Sequence, residues 1–163
     1  MPSSERYFFL NRYIALELCS ASLKDWAESA TKSYAGNVPH EWLGLQQMSH
    51  GLEFIHSNKH VHRDISPDNI LISKDGHRLL ISDFGLCKKT SVTGSFTVSL
   101  QLRGKEMWMA PELVAPRSDD KPNRGTVHAD TYSMGCVFFY FLNKGGHPYR
   151  KDGVKTENAN FGR

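Results

Sequence analysis

Alternating apolar runs and polar punctuation divide the chain into recognisable elements. Ile70-Leu71-Ile72-Ser73 and Leu79-Leu80-Ile81 are short apolar runs joined by Lys74-Asp75-Gly76-His77. Two such runs around a turn containing Asp-Gly predict a β-hairpin. Upstream, Tyr13-Ile14-Ala15-Leu16-Glu17-Leu18-Cys19 reads as a buried strand. Ser22 and Asp25 have capping-box spacing and predict a helix that starts directly after it. From Glu41, the recurrence of Leu45, Met48, Leu52 and Ile55 at intervals of three and four predicts a helix with one core-facing stripe, ending near His56. Ala129 to Leu142 becomes apolar on all sides, the pattern of a buried helix, with Gly145-Gly146 to end it. Residues 32–39 and 116–124 are polar, with Gly or Pro, and read as exposed connections. Residues 86–109 are rich in Ser and Thr and poor in large apolar side chains, which predicts a mobile loop.

Composition narrows the class without naming a function. A chain of 163 residues with 39% apolar and 23% charged residues is large enough for one core. A net charge of +3, spread along the chain, implies neither a nucleic-acid surface nor a membrane-binding patch. Cys19, Cys87 and Cys136 are odd in number and far apart, which favours free thiols in a reducing compartment. Met134 to Leu142, the longest apolar run, is too short to span a bilayer, and no signal peptide is visible. His56, His60 and His62 lie close in sequence but have no cysteine near them, so a zinc site is disfavoured. His62 then reads as a packing residue, with His56 and His60 at a helix end and a turn.

The candidate chemistry collects around the hairpin. Asn69 precedes the first strand and Asp83 follows the second, so the hairpin can bring them near each other, and Asp64 lies five residues ahead of Asn69. Carboxylate and amide oxygens suit magnesium, a hard cation that the histidines would not hold. A further carboxylate could accept or orient a hydroxyl proton, which is the equipment of metal-assisted phosphoryl transfer. Taken singly, each aspartate is better read as a solvated loop carboxylate.

Ordered spacing removes that ambiguity. His62-Arg63-Asp64 with Asn69, Asp83-Phe84-Gly85 and Ala110-Pro111-Glu112 resemble the catalytic motifs of eukaryotic-type protein kinases, a family whose motif residues have established roles. The resemblance implies an α+β, protein-kinase-like fold in partial form. Residues 1–19 would be a remnant of the small lobe and hinge, 20–150 an incomplete large lobe, and 151–163 a truncated C-terminal segment. It implies ATP and Mg2+ as cofactors, a protein substrate, and transfer to serine or threonine hydroxyls. Asp64, Arg63 and Ser66 would be the catalytic-loop residues and Asn69 and Asp83 the metal ligands. His62, Phe84, Glu112 and Asp130 would give structural support, Asp130 by bracing the catalytic loop. Glu17, Cys19 and Leu71 would bind nucleotide. For residues 13–19 a plain core strand explains the composition equally well. Residues 86–109 would hold the activation segment, with Ser95, Thr97 and Ser99 as phosphorylated hydroxyls and Arg63 as their partner.

Residues 13–19, 81–89, 108–112 and 135–140, with His147-Pro148, are similar to one branch of that family, the inositol-requiring kinase/endoribonucleases of the unfolded protein response. This likeness implies a parent on the cytosolic side of the endoplasmic-reticulum membrane, acting as a homodimer with a fused ribonuclease and counting itself, in trans, among its substrates. The segment itself would be soluble, without direct nucleic-acid or membrane contact. Three departures stand out. Residues 1–18 hold no Gly and no Lys, so the phosphate-covering loop and its lysine are missing, and the sequence stops at Arg163 before the last helices or a ribonuclease. Ser66 stands where such kinases place a lysine near the transferred phosphate. The segment alone is therefore expected to transfer phosphate poorly, and a pseudokinase or nucleotide-sensing scaffold is the alternative reading. An RNA-processing enzyme is a third, resting on the branch likeness only.

Overall fold

The structure is a computed structural model and describes residues 15–28, 34, 36–97, 105–114 and 124–149. Its centre is a three-stranded antiparallel sheet in the order β1-β3-β4, with β1 at Cys19–Ser22, β3 at Ile70–Ser73 and β4 at Leu79–Ile81. The predicted hairpin forms, with Ile70 opposite Ile81 and Ile72 opposite Leu79. Its turn depends on Gly76, at φ +72°, where a Cβ would stand 2.5 Å from the Asn37 carbonyl oxygen.

Helix α1, Leu23–Ala27, starts from the predicted capping box: the Asp25 amide donates to Ser22 Oγ at 3.1 Å, and the Ser22 amide donates back to Asp25 Oδ2 at 2.9 Å. Helix α2, Glu41–Ser57, buries Gly44, Met48, Leu52 and Ile55 and packs on β4 and on α4, His128–Leu142. The close approach of the two helices requires Gly44, because a Cβ there would meet the Phe141 ring at 2.5 Å. Around this packing Leu23, Met48, Ile70, Ile72, Val137 and Phe141 form the main core. A second cluster gathers Val61, Phe96, Ala110, Leu113 and Ala129.

Several expectations change. Residues 15–18 are exposed and outside any strand, with Leu16 and Leu18 at 84% and 76% exposure, so among the described residues the strand begins at Cys19, and Tyr13 and Ile14 lie outside the described residues. An apolar run becomes a buried strand only where a neighbour covers it, and the described residues supply none before Cys19. His60 is a strand residue: β2, His60–Val61, pairs with β5, Lys88–Lys89. The stretch expected to be a mobile loop is partly built into sheets, since β6, Ser95–Thr97, pairs with β7, Arg124–Thr126. Phe96 anchors that pair in the second core, which compensates for the polar residues on either side. Helix α4 ends at Leu142, as its apolar pattern predicts, but the left-handed turn comes before the glycines. Lys144, at φ +52°, takes the left-handed position, and Gly145 N–H returns to the Tyr140 carbonyl at 2.8 Å. Residues 116–123, 151–163 and Ser99 lie outside the described residues.

Candidate active site

The loop between β2 and β3 is held from below by one buried carboxylate. Asp130, on the first turn of α4 and 1% exposed, accepts from the His62 amide at 2.7 Å and the Arg63 amide at 2.8 Å. His56 Nε2 lies 3.0 Å from its Oδ2. The brace stabilises a backbone that would otherwise be strained, because Arg63 sits at φ +70°.

His62, fully buried, links the loop to the end of the hairpin. Its Nε2 lies 2.8 Å from the Ser82 carbonyl oxygen, and its ring meets Phe84 edge-on at 5.1 Å. The Ser82 amide donates to the Asn69 carbonyl at 2.9 Å, closing the open end of the hairpin. Asn69 and Asp83 are thereby brought to the same end of the sheet. Asp83 is exposed, at φ +60°, and its Oδ1 accepts from Gly85 N at 3.2 Å.

Asp64 is fixed from two sides. Asn69 Nδ2 donates to its backbone oxygen at 2.7 Å and to Oδ2 at 2.9 Å. The backbone amide of Lys105, from the segment ahead of Ala110-Pro111-Glu112, donates to Oδ1 at 3.2 Å. A carboxylate held this way is an oriented proton acceptor. With its nitrogen committed to Asp64, Asn69 keeps an amide oxygen for a cation, and Asp83 adds one carboxylate. Among the described residues no group of three or more His, Cys, Asp or Glu converges. A donor set of one amide and one carboxylate fits magnesium, which takes its other ligands from phosphate and water.

Lys105 was not singled out by sequence reasoning, although the missing cation at Ser66 was the signal to look for another. Its Nζ reaches Asp68 Oδ2 at 2.5 Å and Ser66 Oγ at 3.4 Å. Ser66 itself is fully buried. Burial pushes the Asp68 carboxyl up, but Lys105 and Lys24 beside it outweigh this and hold it below the ordinary carboxylate range. A cavity of about 670 Å³ opens here, lined among others by Lys24, Glu28, Asp68, Lys105, Trp108 and Tyr140. Burial also raises the Tyr140 hydroxyl to about 12, so it stays protonated.

The remaining predicted residues are dispersed. Glu17 is exposed and pairs with Arg78 at 2.6 Å, Cys19 lies opposite Ser73, and Leu71 is half-buried opposite Ser22. The structure brings Cys19 and Leu71 onto one sheet. Glu112 is exposed on α3, Pro111–Val114. Arg63 Nε donates to the Leu86 carbonyl at 2.5 Å, and its guanidinium lies 5.8 Å from the centre of the Phe96 ring. That sets it beside the strand carrying Ser95 and Thr97. Ser95 Oγ is already within 2.8 Å of Ser91 Oγ.

A mixed α+β domain in which a buried helix-borne aspartate braces a strained loop, and that loop presents an oriented carboxylate beside a metal-capable hairpin end, is an arrangement suited to phosphoryl transfer. The protein kinase domain family matches residues 9–162, and the chain belongs to it. Its relatives include the human serine/threonine-protein kinase/endoribonuclease IRE2, 43% identical over 158 residues that cover 91% of this chain and 16% of the relative. The Caenorhabditis elegans serine/threonine-protein kinase/endoribonuclease ire-1 is 38% identical over 165 residues, covering 92% and 16%. The Schizosaccharomyces pombe sensor for unfolded proteins in the ER ire1 is 32% identical over 177 residues, covering 91% and 16%. The chain thus spans 16% of the length of each of these relatives. No helix among the described residues is long and apolar enough to cross a membrane.

Proposed function

We propose that the chain is the catalytic core of a serine/threonine protein kinase that transfers the γ-phosphate of ATP to protein hydroxyls. The observation that carries this reading is the double tether of Asp64, by Asn69 Nδ2 at 2.9 Å and by the Lys105 amide at 3.2 Å. Asp64 accepts the proton of the attacking hydroxyl. Asn69 and Asp83 hold Mg2+, which neutralises charge on the nucleotide phosphates when bound. His62, Phe84 and Asp130 keep the loop and the hairpin end in register, and Glu112 anchors the start of α3. Glu17, Cys19 and Leu71 meet the nucleotide from the sheet edge. Residues 1–19 are the small-lobe and hinge remnant, 20–150 the large lobe and 151–163 the segment beyond it. Ser95, Thr97 and Ser99 are the phosphorylated positions, with Arg63 as their partner. The relatives' names support a parent at the endoplasmic reticulum that senses unfolded proteins and carries a ribonuclease, and in this reading the parent acts as a homodimer.

The test separates the two carboxylates by step. In the full-length protein, Asp83→Ala removes magnesium-dependent nucleotide affinity, whereas Asp64→Asn spares binding and abolishes turnover. Equal loss of binding in both variants contradicts these roles. The buried Ser66, which brings no cation to the transferred phosphate, favours a second reading as a pseudokinase that senses nucleotide. Magnesium-dependent nucleotide binding with no transfer above the Asp64→Asn background would select it.

A further inference from the structure

We propose that Lys105 supplies, from the segment ahead of Ala110-Pro111-Glu112, the positive charge at the transferred phosphoryl group that the catalytic loop lacks at Ser66. The proposal rests on reading Asp64 as the proton acceptor of a kinase. Ser66 is fully buried and its hydroxyl is neutral, so the loop itself offers no cation at this position. The Nζ of Lys105 stands 3.4 Å from that hydroxyl, and the backbone amide of the same residue stands 3.2 Å from Asp64 Oδ1. One residue therefore touches both the carboxylate and the position that lacks a cation. Its side chain is 42% exposed and lines the open cavity beside the loop, so an incoming phosphate can reach it.

The present partner of Lys105 is Asp68, at 2.5 Å, which Lys24 also contacts at 3.4 Å. Asp68 therefore keeps a cationic neighbour when Lys105 turns to phosphate. A lysine suits such an exchange, being a compact charge on a flexible stem. In the transfer, the acceptor oxygen bonds to the γ-phosphorus as the bond to the leaving ADP oxygen breaks, and the hydroxyl proton passes to Asp64. Negative charge on the transferring group and the leaving oxygen is what Lys105 stabilises. A lysine introduced at position 66 would crowd a second cation against the first, so S66K by itself does not raise turnover.

The experiment is a double-mutant cycle in the full-length protein, reading turnover, affinity for a non-hydrolysable ATP analogue and for ADP, and thermal unfolding. Lys105→Thr lowers turnover on the order of 10²-fold, weakens the ATP analogue and leaves ADP unchanged. S66K added to Lys105→Thr recovers most of the loss, and Lys105→Arg, which keeps charge and fold, retains turnover above Lys105→Thr. Asp68→Asn breaks the ion pair without touching phosphate and stays near wild type. Turnover of Lys105→Thr within threefold of wild type, absence of rescue by S66K, or a loss that Asp68→Asn reproduces overturns the proposal while leaving the kinase reading intact. Wild-type protein with no transfer above the Asp64→Asn control overturns the kinase reading and this inference with it.

Discussion

Replacing Asp130 by alanine tests whether the catalytic loop is held mainly by one carboxylate. The side chain is 1% exposed and accepts from the His62 and Arg63 amides at 2.7 and 2.8 Å, with His56 Nε2 at 3.0 Å. Hydrogen bonds to a charged group are worth about 1.5–3 kcal/mol each, but three that share one acceptor do not add. Removing one member of a buried, hydrogen-bonded charged cluster costs about 3–5 kcal/mol, because the abandoned donors stay buried. Against a typical domain stability of about 5–15 kcal/mol, that is a large share. With a urea slope of about 2 kcal/mol/M, the unfolding midpoint of Asp130→Ala falls by roughly 2 M. The loop responds locally as well. Arg63, at φ +70°, holds a conformation that costs about 1–2 kcal/mol, and without the brace it relaxes. Hydrogen exchange at the His62 and Arg63 amides therefore accelerates more than exchange in the middle of α2. A midpoint shift equivalent to less than about 1 kcal/mol, with both amides still protected, would refute the reasoning.

Gly44→Ala forces a methyl group against the Phe141 ring, 2.5 Å from the position of its Cβ, and destabilises the α2–α4 contact by about 1–3 kcal/mol in chemical unfolding; a neutral result would mean that the ring moves freely. Asp25 is held below its ordinary value of 3.8, first by the Ser22 hydroxyl and then by the Ser22 amide. Its contribution to stability is present above that value and lost as pH falls through the lower folded-state pKa, so the stability gap between wild type and Asp25→Ala narrows in acid, and a gap independent of pH contradicts the capping role. Phosphate on Ser95, Thr97 or Ser99 adds about −1.5 to −2 charge each beside Arg63, so mass spectrometry of active full-length protein finds it there, and Arg63→Ala loses the accompanying protection of the segment from protease. Phosphate confined to Ser91 and Thr93, or protection indifferent to Arg63, counts against this assignment.

The hairpin, α2, the capping box and α4 were legible because each depends on residues close in sequence. Ile70-Leu71-Ile72, the turn and Leu79-Leu80-Ile81 specify their own pairing, and α2 declares its core face through a stripe that needs only a 3.6-residue period. The spacing of Asp64, Asn69 and Asp83 likewise pointed to metal-assisted phosphoryl transfer before any contact was known. What the local pattern cannot carry is the identity of a distant partner. The apolar residues 15–18 look like a buried strand but remain exposed, because burial belongs to the neighbour as much as to the run. The polar residues around Phe96 look like a free loop, yet β6 pairs with β7 because Phe96 fills a pocket against the second core. Lys105 lies 41 residues from Asp64 and 39 from Ser66, and no periodicity spans that distance. Only packing of the segment ahead of α3 against the catalytic loop decided that its amide would orient the carboxylate and its charge would stand over Ser66.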